Sequence, residues 1–224
     1  MTDVTGGAAG AGRLQDRLVL VTGASRGLGR ALALALAAEG AHLVLVARTV
    51  GALEELDDEQ RALGGKSAVL VPLDLLEHEA IDRLGGQLYE RFGRLDGLVS
   101  CAAMLGQLSP VGHLPPQVWE RVFALNVTAN YRLIRSLDPL LRRGHDPRAL
   151  FVTDRSGRDV AYWNPYAASK AALETLVRSW AGELARTPVR VNLAAPAPFA
   201  SRLRATAFPG EKPESLPQPA QVAQ

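Results

Sequence analysis

Leu18-Val19-Leu20-Val21-Thr22-Gly23-Ala24-Ser25-Arg26-Gly27-Leu28-Gly29 carries an unbroken apolar run into a glycine-spaced turn, and an alanine- and leucine-rich stretch continues to Glu39 before Gly40. The run suits a strand buried on both faces, and the stretch from Leu28 to Glu39 reads as a helix stopped by glycine. Spacing of Gly-x-x-x-Gly-x-Gly between a strand and a helix lets backbone amides and the positive helix end meet a pyrophosphate with no side chain in the way. The candidate contacts are Thr22, Gly23, Ser25, Arg26, Gly27, Leu28 and Gly29. A purely structural turn is the plainer alternative, and the strand and helix on either side weigh against it.

The same alternation continues outward from this unit. His42 to Ala47 reads as a second strand, Thr49 to Leu63 as a helix ended by Gly64-Gly65, Ala68 to Leu73 as a strand and Glu77 to Phe92 as a helix. Gly97 to Ala102 is the fourth strand. A long helix from about Gln117 to Arg143, a strand from Ala149 to Thr153, a helix from Tyr166 to Arg186 and a strand from Val189 to Ala194 complete the series. Strands rich in Val, Leu and Ala, each followed by a crossover helix, imply an α/β fold: a doubly wound parallel sheet, covered on both faces, in one domain over 13–194. Ligands of such sheets bind beyond the carboxyl ends of the strands, where the strand order reverses. After Ala195 come Pro196, Pro198, Pro209, Pro213, Pro217 and Pro219, so 195–224 is expected to be a loop-rich flap and tail without regular elements. Residues 1–12, rich in Gly, Ala and Thr, are expected to be a disordered leader.

With 224 residues and a formal charge of +2, the chain is long enough for one sizeable core and carries no dense basic run. Neither nucleic acid nor a membrane surface is therefore an expected partner. No apolar run approaches the roughly 20 residues of a membrane span. The single cysteine, Cys101, excludes an internal disulfide and a thiolate metal site, and fits a cytoplasmic setting.

Farther down the chain, Tyr166-Ala-Ala-Ser-Lys170 sets a phenol and an ammonium one helical turn apart. Only three lysines, Lys66, Lys170 and Lys212, stand against 22 arginines, so Lys170 reads as a position where arginine would not serve. Phosphate cradle and proton donor in this order suit a nicotinamide-dependent reductase. Arg26, and Arg48 just past the second strand, are two cations where the 2′-phosphate of NADP would lie, and position 47 is alanine where an acidic residue would select NAD. Solvated surface charge is the alternative for both arginines.

On these motifs the chain resembles the short-chain dehydrogenase/reductase family from residue 14 to about 200. The resemblance implies a Rossmann fold, an NADP-dependent oxidoreductase and a small carbonyl or alcohol substrate. It makes Tyr166 the general acid toward the carbonyl oxygen and gives Lys170 two tasks: holding the nicotinamide ribose and lowering the phenol's pKa from near 10. Asn126, in Leu-Asn-Val, matches the family asparagine that holds a relay water, or is an ordinary helix polar residue. Asp74, ending the third strand, matches the aspartate that touches adenine, or caps the next helix. Ala102, ending the fourth strand, joins the cofactor-binding set.

Three places depart from the family pattern. The substrate-binding serine, about thirteen residues before the tyrosine, falls by count on Thr153; aligning the strand start and Gly157 puts Asp154 there instead, with Ser156 nearby. Threonine can donate a hydrogen bond, an ionised aspartate would oppose a developing oxyanion, and a protonated one could donate. Ser100-Cys101-Ala102-Ala103 stands where relatives have Asn-Asn-Ala-Gly, so Cys101 is either a small buried apolar residue or a reactive thiol. Pro196-Ala197 replaces a Pro-Gly turn, and nothing after it reads as the family's seventh strand. A six-stranded sheet with a bare edge implies a homo-oligomer, a dimer or tetramer. A dinucleotide-binding protein with weakened or lost catalysis, or a partner subunit of a related enzyme, is the alternative to the active enzyme.

Overall fold

The computed structural model describes residues 12–224, so the leader expected over 1–12 lies, apart from Gly12, outside the described residues. Six strands form one parallel sheet in the order β3-β2-β1-β4-β5-β6. They are β1 (Leu18–Thr22), β2 (His42–Ala47), β3 (Val69–Pro72), β4 (Gly97–Ser100), β5 (Arg148–Val152) and β6 (Arg190–Ala194). Every residue of β1 is buried, as expected of a strand covered on both faces. Its side chains alternate between two cores. Leu18 and Leu20 pack with the helices α3 (His78–Phe92), α5 (Ala129–Leu141) and α6 (Tyr166–Glu183), through Ile81, Leu133, Leu173 and Trp180. Val19 and Val21 pack on the other face with α1 (Gly27–Ala38) and α2 (Val50–Ala62), through Ala33, Ala37, Leu53 and Leu56. Phe151 of β5 meets Trp180 of α6 edge to face at 6.1 Å, and each such buried aromatic contributes roughly 1.5–3 kcal/mol.

Two expectations are corrected. The single long helix expected from Gln117 to Arg143 is two helices, α4 (Pro116–Phe123) and α5, joined by a π-helical turn over Ala124–Thr128. Such a turn takes in an extra residue and re-aims side chains, and here it carries Asn126, which is fully buried. The proline-rich segment is not free of regular structure either: α7 (Arg202–Ala207), a 3₁₀ turn at Pro213–Ser215 and α8 (Pro219–Val222) lie within it. Pro213 and Pro219 each sit at the first position of their helix, where the missing N–H would have had no intrahelical acceptor. Ser201 caps α7 by accepting from the Arg204 amide at 3.2 Å. Among the described residues β6 is the last strand, an outer one that presents Arg190 and Asn192 to solvent. No helix among them is long and apolar enough to cross a membrane.

Candidate active site

The strand order reverses between β1 and β4, and there the carboxyl ends of the strands open into a cleft of about 1000 Å³. Gly23, Ser25, Arg26, Gly27, Leu28 and Gly29 form one side, with Arg48, Asp74 and Ala102 around them. Gly23 and Gly27 have φ values of +66° and +56°, a left-handed backbone that favours glycine. A Cβ on Gly29 would overlap the carbonyl of Gly23, so loop and helix can approach this closely only without a side chain. Nothing lies within 4 Å of where a Cβ on Gly27 would be; it would project into open space beside the first turn of α1. No side chain caps that helix start. These are the features a dinucleotide diphosphate requires, and the residues fit the group.

Thr22 belongs to the loop but not to the cleft wall. Buried, it accepts hydrogen bonds from the amides of Cys101 (3.2 Å) and Ala102 (3.4 Å), and ties β1 to the end of β4. Ser100 continues this brace by donating to Asn130 Oδ1 at 2.6 Å. Asp74 accepts from the Leu76 amide at 3.1 Å, closing the turn before α3, while its other oxygen lies 3.9 Å from Arg48. Arg26 and Arg48 are both exposed at the cleft rim.

On the opposite side, α6 brings Tyr166 and Lys170 to the floor of the cleft, both nearly fully buried. Tyr166 Oη donates to Asp154 Oδ2 at 3.1 Å, and Lys170 Nζ donates to the carbonyl of Val152 at 3.0 Å. Thr153 and Asp154 are thereby separated. The Thr153 hydroxyl turns away and donates to Glu174 at 3.1 Å, whereas the Asp154 carboxylate faces the phenol. Ser156 does not face Tyr166: its amide and hydroxyl both donate to Asp154 Oδ1, at 2.8 and 2.6 Å. Asn126 does not line the cleft; its carboxamide binds both backbone groups of Met104 and donates to Ser169 Oγ, each at 2.9 Å, pinning the segment after β4 to α6.

The electrostatics depart from expectation in one respect. Burial, and after it the neighbouring Asp154 carboxylate, push the Tyr166 phenol well above its ordinary value, although Lys170 had been expected to lower it. Lys170 is itself depressed to about 8 by burial, with Asp154 and Cys101 pulling the other way. Burial pushes the Cys101 thiol up to about 12, which favours the space-filling reading over the reactive one.

Residues that no motif flagged complete the site. Glu174, buried on α6, accepts from Thr153, Arg155 and Arg158, and fixes the loop that carries Asp154. Burial would raise its pKa, but the hydrogen bonds from Arg155 and Thr153 outweigh this and leave it lowered. From the tail, Leu203, Ala207 and Phe208 pack on Trp163, Tyr166 and Leu105 as an apolar wall beside the phenol. Glu174 shares a helix face with Lys170 at i, i+4 and was in principle visible in the sequence; the partners from β5 and the tail were not.

A family model described as short chain dehydrogenase matches residues 17–212. The chain belongs to this family. As a short-chain dehydrogenase it falls among the NAD(P)-dependent oxidoreductases. It is 35% identical over 212 residues to the uncharacterized oxidoreductase YciK of Escherichia coli strain K12, covering 93% of this chain and 84% of that protein. Its structure is similar to that of a short chain dehydrogenase from Pseudomonas syringae, with a TM-score of 0.90, 37% identity, and coverage of 96% of this chain and 88% of that one. A short chain dehydrogenase from E. coli CFT073, solved in complex with NADPH, matches with a TM-score of 0.87 and 36% identity, covering 93% of this chain and 88% of that one.

Proposed function

We propose that this short-chain dehydrogenase uses NADP(H) to interconvert a carbonyl and an alcohol in the cleft, with Tyr166 as the group that gives or takes the proton. The observation that carries the reading is that Tyr166 and Lys170 lie at the floor of the same cleft whose rim is the glycine loop. The dinucleotide, when bound, supplies or accepts the hydride. Gly23 to Gly29 hold its diphosphate, Arg26 and Arg48 its 2′-phosphate, and Ala102 and Asp74 border the rest of its path. Lys170 binds the ribose hydroxyls in this reading, with the charge it keeps below about pH 8. Tyr166 turns its O–H from Asp154 to the substrate oxygen, and Asp154, which faces the phenol, takes the serine's place that the family resemblance implies. The outer strand β6 supports assembly into a homo-oligomer.

Asp154 also favours a second reading, a protein that binds NADPH while its carbonyl chemistry is weak, because the carboxylate engages the phenol and opposes an oxyanion. NADPH oxidation with a panel of ketones and aldehydes separates the two. In the first, Tyr166→Phe abolishes carbonyl turnover and leaves NADPH affinity nearly intact. NADPH binding without turnover of any carbonyl establishes the second.

A further inference from the structure

Beside Tyr166 the cleft combines an aromatic wall with a carboxylate that makes no ion pair. The Trp163 ring lies 6.1 Å from that of Tyr166 and 5.5 Å from that of Phe208, with Leu105 and Leu203 filling between them. Asp154, in the same cleft, accepts from Ser156 and Tyr166 but has no cation within ion-pair distance among the described residues. The nearby cations are already engaged. Lys170 donates to the Val152 carbonyl, Arg204 forks onto Glu211 at 2.6 and 2.8 Å, and Arg155 holds Glu174 at 3.1 Å.

We propose that the substrate favoured by this site is a C=N compound reacting as its iminium cation, with the N–H toward Asp154 and the apolar body against Trp163 and Phe208. The proposal deepens, and rests on, the hydride-transfer reading above. A ketone develops negative charge on oxygen during reduction, and here that charge would face a carboxylate. An iminium carries positive charge into the site and loses it. The carboxylate raises the protonated fraction of a bound imine, and aromatic faces attract the cation further. The proton arrives with the substrate, so Tyr166, which burial and then Asp154 keep as a phenol, need not supply it.

The balance is that of a two-electron reduction. A C–H bond forms at the iminium carbon with the hydride electron pair from NADPH, the C=N π pair becomes the lone pair on nitrogen, and NADP⁺ and an amine are the products.

The test compares dihydroisoquinoline with tetralone, a ketone of similar shape, as partners for NADPH oxidation, in the natural chain, Asp154→Asn and Asp154→Ser. A binding titration without cofactor accompanies it, with tetrahydroisoquinoline as the cation and tetralol as the neutral probe. The natural chain should reduce the imine at least tenfold faster than the ketone, and Asp154→Ser should reverse the order. Asp154→Asn should weaken cation binding about tenfold and leave tetralol binding unchanged. A natural chain that reduces tetralone as fast as the imine, or binds the cation no better than Asp154→Asn does, overturns this inference and leaves the carbonyl reading standing. Failure of every variant to turn over either compound with NADPH bound overturns hydride transfer, and this inference with it.

Discussion

If Arg26 and Arg48 hold the 2′-phosphate as proposed, the natural chain should prefer NADPH to NADH and removing both arginines should erase that preference. Arg48 stands 3.9 Å from Asp74, with the two side chains 58% and 33% exposed. Two unit charges at 4 Å attract by about 1 kcal/mol in water and about 4 kcal/mol at an effective dielectric of 20, and exposed pairs measure about 0–1 kcal/mol. Asp74 is thus a weak competitor for Arg48, and a dianionic 2′-phosphate at the rim should displace it with little loss. A charge-assisted hydrogen bond contributes about 1.5–3 kcal/mol, and exposure holds each arginine near the lower figure, close to tenfold in affinity. Arg26→Ala and Arg48→Ala should therefore each weaken NADPH about tenfold. The double variant should fall between about tenfold and a hundredfold, because both side chains address one phosphate and their effects need not add. NADH affinity should stay within about twofold, since neither arginine is needed for a free ribose. Fluorescence titration of both cofactors measures this, and raising salt should shrink the NADPH advantage, the Debye length being about 10 Å at 0.1 M. Equal affinities in the natural chain, or a preference that survives the double substitution, would refute the assignment of these arginines.

Further outcomes follow from the same geometry. Lys170, with a pKa of about 8, is an ammonium below that pH and neutral above it, so kcat/KM for reduction should fall as pH rises through about 8. Asp154→Ser removes an influence that raises this pKa and should move the falling limb to lower pH; a limb that does not move would show that another group titrates. Gly29→Ala forces a methyl against the Gly23 carbonyl and should cost about 1–3 kcal/mol in denaturant unfolding, with NADPH affinity reduced tenfold or more. Glu174→Gln weakens the acceptor of Thr153, Arg155 and Arg158, with an expected loss of about 1–3 kcal/mol in the same unfolding assay.

The sheet was legible because β1 to β5 are short, largely apolar runs, too short for a helix, and β6 alternates Val191 and Leu193 with Arg190 and Asn192; β1 to β6 all lie within a residue or two of their expected places. The glycine loop and the Tyr166–Lys170 pair were legible for a related reason, since their geometry is local to one turn and one helix. What failed was non-local or positional. Prolines at 213 and 219 read as breakers, although at the first residue of a helix they are compatible with it. The choice between Thr153 and Asp154 depends on which way two adjacent side chains turn at the end of β5, and counting residues does not determine that. The upward push on Tyr166 comes from burial and from a carboxylate twelve residues away, neither of which a Tyr-x-x-x-Lys pattern contains.

Tyr166, Lys170, Glu174 and Arg178 follow one another at four-residue intervals along α6, so chemistry and loop anchorage share one face of one helix. The upper half of that face carries the phenol and the ammonium. The lower half, through Glu174, grips the loop that aims Asp154 at the phenol. On heating, the exposed arginine contacts of this grip are weaker than the packed core beneath α6, and the loop should loosen while the sheet is still folded. Any turnover should therefore be lost at a temperature below the main calorimetric transition and regained on cooling; activity and unfolding that fail together would show that the loop is no weaker than the sheet.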